Sequence, residues 1–202
     1  MTLQAGTSRR RSAGSPRGTR RREALLAAVV DDLAENGLAD VSLRRAARAA
    51  GTTHKVLLYH FDSLEALLAE ALRLLRAQRV ENVMPVALAQ PTLAKRVKAI
   101  WPVLMRDDSG LRVIDQAIGL AMYDPERYAH LARDATEAYL PFIASLCPSD
   151  WDKARTAQVT QLILATMRGF LMEWRTVADK KRIDAGLAAL VRALEAEESR
   201  RV

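Results

Sequence analysis

The stretch of the chain that decides its fold, residues 24–70, reads ALLAAVVDDLAENGLADVSLRRAARAAGTTHKVLLYHFDSLEALLAE. Its middle predicts two short helices, because Ser42 and either Thr52 or Thr53 are suitable N-caps for the residues that follow them. Little more than Gly51 separates the two helices, and this connection is too short for an antiparallel return. The second helix is therefore expected to cross the first at a steep angle, as in a helix-turn-helix.

Apolar residues on both sides of this pair recur at helical spacing. Leucines and valines at intervals of three and four predict a helix from Arg20 to about Asn36. The sequence Asp62-Ser63-Leu64-Glu65 is a capping box, and the helix that it starts runs to about Arg79. No segment alternates with a period of two, so we expect an all-α protein. Further helices are predicted at about 92–106, 110–121, 125–146, 151–177 and 181–197.

The excess charge of the chain lies in its first residues. The 202 residues carry a net charge of +7, from 31 basic and 24 acidic side chains. Residues 1–22 contain seven arginines and no acidic residue, so the rest of the chain is neutral overall. We predict that residues 1–19 are disordered by themselves and form an arm of the kind that binds polyanions, most often nucleic acid. A solubilising tail is the alternative.

Other features exclude whole classes of protein. A single cysteine, Cys147, excludes an intrachain disulfide and indicates a reducing compartment. No apolar run approaches the roughly 18 residues of a membrane span, so we predict a cytoplasmic protein. The three histidines, His54, His60 and His130, have no partners at metal-ligand spacing, and no phosphate loop or nucleophile elbow occurs. We therefore predict no metal site, no cofactor and no enzymatic activity.

The second short helix has an outward face that suits the major groove of DNA. Leu57 and Phe61 lie four residues apart and are predicted to face inward. Polar, basic and aromatic groups beside an arginine-rich arm fit a groove lined by phosphates, better than the alternative of a merely solvated face. The residues on the opposite, outward side are Thr53, His54, Lys55, Leu58 and Tyr59.

Residues 24–70 resemble the DNA-binding domain of the tetracycline-repressor (TetR) family. Residues 167–174, which read MRGFLMEW, are similar to the C-terminal regions of the same family, though more weakly. The motifs that carry the resemblance are Glu-Asn-Gly at the end of the first helix, Ser42-Leu43-Arg44 followed by Ala47 and Ala50-Gly51, and Gly-Thr-Thr followed by Leu57, His60-Phe61 and Ser63-x-Glu-Ala-Leu-Leu.

The resemblance implies a dimeric, ligand-responsive transcription regulator, most often a repressor. By position it implies a phosphate contact from Arg44 on the second helix. It also implies a recognition helix that starts with Thr53, His54 and Lys55, and a contact of His60, near the end of that helix, with the DNA backbone. The chain departs from the family at Leu58, where Tyr is common, and at Leu64, where Lys is frequent. Together with the arm and the outward face, this makes the predicted DNA-binding residues Arg20, Arg21, Arg22, Ser42, Arg44, Thr53, His54, Lys55, Leu58, Tyr59 and His60.

The segment 151–177 has two apolar faces, whereas a surface helix needs only one. The second face requires a second partner, and Ala165 and Gly169 would let another helix approach closely. This helix and the final helix, contributed by each of two subunits, would form a four-helix interface with two-fold symmetry. The alternative is that both apolar faces belong to the core of a monomer. The predicted interface residues are Leu162, Ala165, Gly169, Met172, Ile183, Leu187, Leu190 and Leu194.

Aromatic and methionine side chains concentrate after residue 100. Apolar pockets between helices are the usual sites for small ligands, although the same residues at helical spacing also form ordinary core. Asp115-Gln116, inside an apolar helix, is the candidate polar contact that orients a ligand. The predicted ligand-binding residues are Trp101, Met105, Asp115, Met122, Tyr123, Tyr139, Met167, Phe170 and Trp174.

The sequence therefore predicts a homodimeric regulator that binds a palindromic DNA operator and is released by a small apolar effector. Its expected parts are the arm (1–19), a helix-turn-helix DNA-binding domain (20–66) and a larger helical ligand-binding and dimerisation domain (67–202). The rival hypothesis is a ligand-binding or interaction protein that does not bind DNA and whose arginine-rich tail contacts membrane or RNA. The two hypotheses differ in the DNA binding that they predict. A regulator binds one palindrome far more strongly than random DNA, whereas a protein that binds through its tail alone shows no such preference.

Overall fold

The computed structural model describes residues 15–106 and 109–200, and no strand occurs in these ranges, which confirms the predicted all-α class. None of the helices described there combines the length and the apolar character needed to cross a membrane. The helices are α1 (Pro16–Asn36), α2 (Leu43–Ala49), α3 (His54–His60), α4 (Leu64–Leu88), α5 (Leu93–Arg106), α6 (Ser109–Tyr123), α7 (Pro125–Glu137), α8 (Leu140–Leu146), α9 (Lys153–Thr176) and α10 (Lys180–Ser199).

Helix α1 begins at Pro16 rather than at Arg20, the predicted start. Ser15 is its N-cap, and the Ser15 hydroxyl oxygen accepts a hydrogen bond from the amide of Gly18 at 3.1 Å. Pro16 takes the first helical position, where the missing N–H of a proline has no intrahelical partner to lose. Residues 16–19 of the predicted arm are therefore helical, and residues 1–14 lie outside the described part of the chain.

Two other helix boundaries differ from those that periodicity predicts. Helix α4 continues past Arg79 to Leu88 and contains Pro85 near its end. The single helix predicted over residues 125–146 is in fact two helices, α7 and α8. Pro141 lies in the first turn of α8, where it has no N–H to continue the hydrogen bonds of a preceding helix.

The N-terminal unit ends at Leu74, inside α4 and later than the predicted domain boundary after residue 66. It contains α1, α2, α3 and the first turns of α4, with α1 packed against α2 and α2 packed against α3. These contacts confirm the predicted three-helix helix-turn-helix. The core of this unit includes Leu25, Val29, Val30, Leu33, Leu38, Ala46, Ala47, Leu57 and Phe61.

The C-terminal unit, from Leu75 onward, contains the rest of α4 and helices α5 to α10. Helix α10 packs against α5 and α9, α8 packs against α9, and α6 packs against α7. One apolar face of α10 is buried in the core of this unit. The prediction that this face contacts a second subunit is wrong, because a side chain enclosed by its own core is not available to a partner. The residues concerned are Ile183, Leu187, Leu190 and Leu194.

Candidate nucleic-acid interface and internal cavity

Caps on both helices hold the turn between α2 and α3. The Ser42 hydroxyl oxygen accepts a hydrogen bond from the amide of Arg45 at 3.2 Å, and the Thr53 hydroxyl oxygen accepts one from the amide of Val56 at 3.4 Å. Between them Gly51 has a φ of 57°, in the left-handed region that glycine adopts without steric cost. These local interactions orient α3 within the N-terminal unit.

Helix α3 has one buried face and one exposed face. Leu57 and Phe61 are buried, as the spacing predicts. On the exposed face, Leu58 and Tyr59 remain 42% and 48% accessible, so large apolar groups face solvent there. An ammonium group, an imidazole and a hydroxyl beside such groups supply both the hydrogen bonds and the apolar contacts that read base edges in a major groove. The exposed residues are Thr53, His54, Lys55, Leu58 and Tyr59.

Several cations and one further hydroxyl lie on the surface of the same unit. Arg44 on α2 and Arg20 and Arg21 on α1 are exposed. Ser42 is exposed as well, and its hydroxyl proton can donate to a phosphate while the oxygen accepts from the helix. Each of these four predicted residues is therefore accessible to a polyanion.

Arg22 differs from its neighbours, because its guanidinium is engaged inside the N-terminal unit. Its Nε donates to the carbonyl oxygen of His60 at 3.1 Å, and its Nη2 forms an ion pair with Glu70. The guanidinium also lies over the ring of Phe61, 4.5 Å from the centroid. This side chain therefore joins α1 to the end of α3 and to α4, and we correct its predicted role from a phosphate contact to a structural one.

His60 lies at the end of α3, and its side chain is half-buried. Burial lowers its pKa, and the nearby positive charges of Arg22 and Arg21 lower it further. The imidazole is therefore neutral at pH 7 and carries no charge toward a phosphate. Its ring meets that of Tyr59 edge to face, with 5.1 Å between the centroids.

Arg45, which the sequence does not single out, anchors α2 to the end of α1. Its Nε lies 2.8 Å from the carboxylate of Asp32, and its other nitrogens donate to the carbonyl oxygens of Ala39 at 2.6 Å and Gly37 at 2.8 Å. The sequence signal for this contact is Asp32, near the end of α1. An acidic residue at that position is explained equally well by a solvated helix face.

The C-terminal unit contains a cavity of about 90 Å³ between α4, α5, α6, α8 and α9. Three of the predicted ligand-binding residues, Asp115, Tyr139 and Met167, lie on its wall. Most of the other wall residues are apolar, and two are arginines that are not among the predicted ligand-binding residues. The remaining wall residues are Arg79, Val80, Val83, Val97, Ile100, Leu104, Ile114, Ile118, Phe142, Ile143, Leu146, Ile163, Leu164, Arg168 and Leu171.

The other six predicted ligand-binding residues do not line this cavity. Met122 and Tyr123 are 74% and 89% exposed at the end of α6. Trp101 is buried and packs edge to face against Phe170, with 6.0 Å between the ring centroids. Two more residues pack on the core away from the cavity wall. These are Met105 and Trp174.

Polar groups of the cavity wall form hydrogen bonds and an ion pair. Arg79, which is buried, donates to the phenol oxygen of Tyr139 at 2.7 Å. Arg168 donates to the hydroxyl of Thr136 at 3.0 Å, and its pKa is lowered by burial. Burial also raises the pKa of Tyr139, so its phenol stays protonated at pH 7.

Asp115 is the acidic group on the cavity wall, and it lies 2.8 Å from Nε of Arg175. Burial raises the pKa of this carboxyl, while Arg175, Arg79 and Arg168 act in the opposite direction. Three guanidinium groups are therefore close enough to influence one carboxylate.

An exposed stripe of α9, formed by Leu162, Ala165, Gly169 and Met172, faces away from the core. Leu162 is 49% exposed and Met172 is 59% exposed. A Cβ atom added to Gly169 would meet no other atom within 4 Å. These are the α9 members of the predicted interface, and they are accessible on the surface of the single chain.

Comparison with known proteins gives one family match. The family described as bacterial regulatory proteins, tetR family, matches residues 25–71, which contain most of α1, all of α2 and α3, and the start of α4. The match thus covers the helix-turn-helix and agrees with a DNA-binding transcription regulator rather than an enzyme. No curated protein sequence matches the chain.

Solved structures with the same fold cover nearly the whole chain. A protein of Streptomyces coelicolor A3(2) assigned as a transcriptional regulator is 24% identical, with a TM-score of 0.66 over 87% of this chain and 98% of the other. A protein of Pseudomonas aeruginosa PAO1, also assigned as a transcriptional regulator, is 18% identical, with a TM-score of 0.66 over 94% of this chain and 97% of the other. The multidrug binding protein EbrR, complexed with proflavin, is 19% identical, with a TM-score of 0.60 over 85% and 98%. At these identities the likeness shows the fold alone.

Proposed function

We propose that the chain is a transcriptional repressor of the tetR family of bacterial regulatory proteins, the family that matches residues 25–71, and that it binds a palindromic operator as a homodimer. The observation that carries this proposal is the exposed face of α3, where Lys55, Leu58 and Tyr59 stand outward on a helix fixed by caps and by a buried Leu57. The seven residues of α3 span about 10 Å, a length that a major groove accommodates. The protein acts in the cytoplasm, where bacterial operator DNA is accessible.

The homodimer forms through the exposed stripe of α9. An apolar stripe that contains Ala165 and Gly169 allows the backbone of a partner helix to approach closely, and the exposed Leu162 and Met172 then become buried. Two-fold symmetry repeats the recognition helix, so the operator has two half-sites about 34–36 Å apart.

A small effector in the cavity weakens operator binding. Helix α4 supplies Arg79, Val80 and Val83 to the cavity wall, and the same helix contributes its first turns to the N-terminal unit. The operator requires one separation of the two recognition helices. A ligand that binds more tightly to a state with a different separation stabilises that state and so reduces the affinity of the protein for the operator.

The experiment that tests the function selects fragments of genomic DNA on the purified protein and maps the strongest one by footprinting. Two protected half-sites, with binding far above that of random DNA, are the expected result. Lys55→Ala and Tyr59→Ala each lower the affinity for the selected fragment by roughly 1–3 kcal/mol, because each removes base-edge contacts.

Matched controls are Lys98→Ala on α5 and Tyr123→Ala at the end of α6, which remove exposed side chains of the same types away from α3. Both controls bind the selected DNA like the unaltered protein. No preference among fragments, or equal binding by the α3 variants, would contradict the proposal and favour a protein whose basic tail alone contacts polyanions.

A further inference from the structure

The cavity of the C-terminal unit is small, and most of its wall is apolar. Its volume is about 90 Å³. The wall includes Phe142, Met167 and branched aliphatic side chains from several helices. A ligand that fills this space without changing the wall is therefore compact, with an aromatic or short aliphatic body.

The charged groups on the same wall carry more positive than negative charge. Arg79 and Arg168 carry positive charges there, and Asp115 carries the negative charge among the described wall residues. The carboxylate of Asp115 also lies 2.8 Å from Arg175, a cation that is not itself on the wall. The field inside the cavity is therefore positive, because two guanidiniums share the wall with one carboxylate and that carboxylate is paired with a third.

The hydrogen-bonding groups of the cavity wall suit an anion as well. Arg168 donates to the hydroxyl of Thr136 and to the carbonyl oxygen of Ala135, both of which are neutral groups that leave its charge in place. Tyr139 accepts from Arg79, and its own O–H can donate to a ligand oxygen. Guanidinium and phenol donors next to apolar surface are suited to a carboxylate at the end of an apolar body.

We propose that the cavity binds a compact amphiphilic anion, with its apolar body among the aliphatic side chains and its carboxylate or equivalent single negative charge toward Arg79, Arg168 and Tyr139. The inference rests on the proposed function, because it names the chemical class of the effector. A cationic ligand would have to displace Arg175 from Asp115 and approach two further guanidiniums. A neutral ligand would forgo the charge-assisted hydrogen bonds.

Three probes of one size and shape test the sign of the charge: benzoate, benzamide and benzamidinium. Calorimetric titration of the full-length protein at pH 7.5 and constant ionic strength compares their dissociation constants. We expect benzoate to bind at least about tenfold more tightly than benzamide, and benzamidinium to bind the most weakly. Benzoate binding no tighter than benzamide or benzamidinium, or no benzoate binding at all, would overturn the inference.

Two variants place the effect in this cavity. Asp115→Asn keeps the shape of the side chain and removes the wall carboxylate, so benzoate affinity rises severalfold. Arg168→Met removes one wall cation, so benzoate affinity falls about tenfold while benzamide affinity changes little. Far-UV circular dichroism checks that Arg168→Met is folded; if it is not, Asp115→Asn alone decides, and unchanged or weaker benzoate binding by it contradicts the inference.

The probe titrations and the test of the proposed function can fail independently of each other. Operator selection uses the same protein without any probe and depends on α3. A protein that selects an operator but does not prefer benzoate retains the proposed function and loses this inference. A protein that prefers benzoate but selects no DNA retains the ligand class and loses its interpretation as the effector of a repressor.

Discussion

Arg21 and Arg22 are adjacent on α1 but lie in different environments. Arg22 donates to the carbonyl oxygen of His60 and pairs with Glu70, whereas Arg21 is exposed. A side chain with internal partners stabilises the N-terminal unit, and an exposed arginine is available to phosphates. The residues that surround α3 thus divide into those that position the helix and those that are exposed and that we expect to contact DNA.

This division gives a prediction at the scale of single residues. Arg22→Met lowers the free energy of unfolding by about 1–2 kcal/mol, because charged hydrogen bonds are removed, and leaves the dependence of DNA affinity on salt unchanged. Arg21→Met leaves stability unchanged and reduces the slope of log affinity against log salt concentration by about 0.9 for each phosphate that is no longer neutralised. Urea denaturation and fluorescence anisotropy over a salt series measure the two effects. A reduced slope with unchanged stability for Arg22→Met would return that residue to the DNA-binding surface.

At the scale of the element, α1 combines a structural helix with a basic N-terminal extension. Ser15 caps the helix, so we expect the helix to persist when residues 1–14 are removed. These residues include Arg9, Arg10 and Arg11 and no acidic residue. We therefore expect these arginines to add an electrostatic contribution to DNA affinity that does not depend on the DNA sequence.

Deletion of residues 1–14 accordingly reduces the salt slope by up to about 3 per subunit and weakens binding to random DNA as well as to the operator. Helical content and the urea midpoint stay the same. Anisotropy titrations on both kinds of DNA, between about 50 and 200 mM salt, give the slopes. An unchanged slope would mean that the extension does not contact DNA.

At the scale of the whole molecule, the exposed stripe of α9 is the surface through which we expect two chains to associate. Gly169 has open space around its Cβ position, so a larger side chain is compatible with the fold of one chain. The same side chain would hold a partner helix away, and a carboxylate without a partner is costly to bury in a helix contact.

Gly169→Glu therefore yields a folded monomer with severely reduced operator affinity, because the second half-site contact is no longer intramolecular. Sedimentation equilibrium, far-UV circular dichroism and DNA titration measure the three properties. Gly119→Glu is the matched control, since Gly119 is also exposed in a helix with no atom within 4 Å of its Cβ position. This control remains dimeric and binds the operator. A dimer formed by Gly169→Glu with intact DNA binding would place the interface elsewhere.

The N-terminal unit could be predicted closely because its signals are local. Ser42 and Thr53 cap the helices that follow them, and Gly51 has the positive φ that the turn requires. Leu57 and Phe61 are buried at the predicted spacing. Each of these features depends on a few neighbouring residues, so the order of the chain is sufficient to find it.

The environment of each face in the C-terminal unit, in contrast, was decided by tertiary packing. Apolar spacing places Ile183 and Leu187 on one side of α10 in the same way that it places Leu162 and Met172 on one side of α9. Packing against α5 and α9 encloses the former pair, and the latter pair remains exposed. Periodicity shows which residues share a face but not what covers it, since the cover comes from parts of the chain far away in sequence. For the same reason the positive wall of the cavity was not predictable: Arg79, Asp115 and Arg168 come together only when α4, α6 and α9 pack around one space.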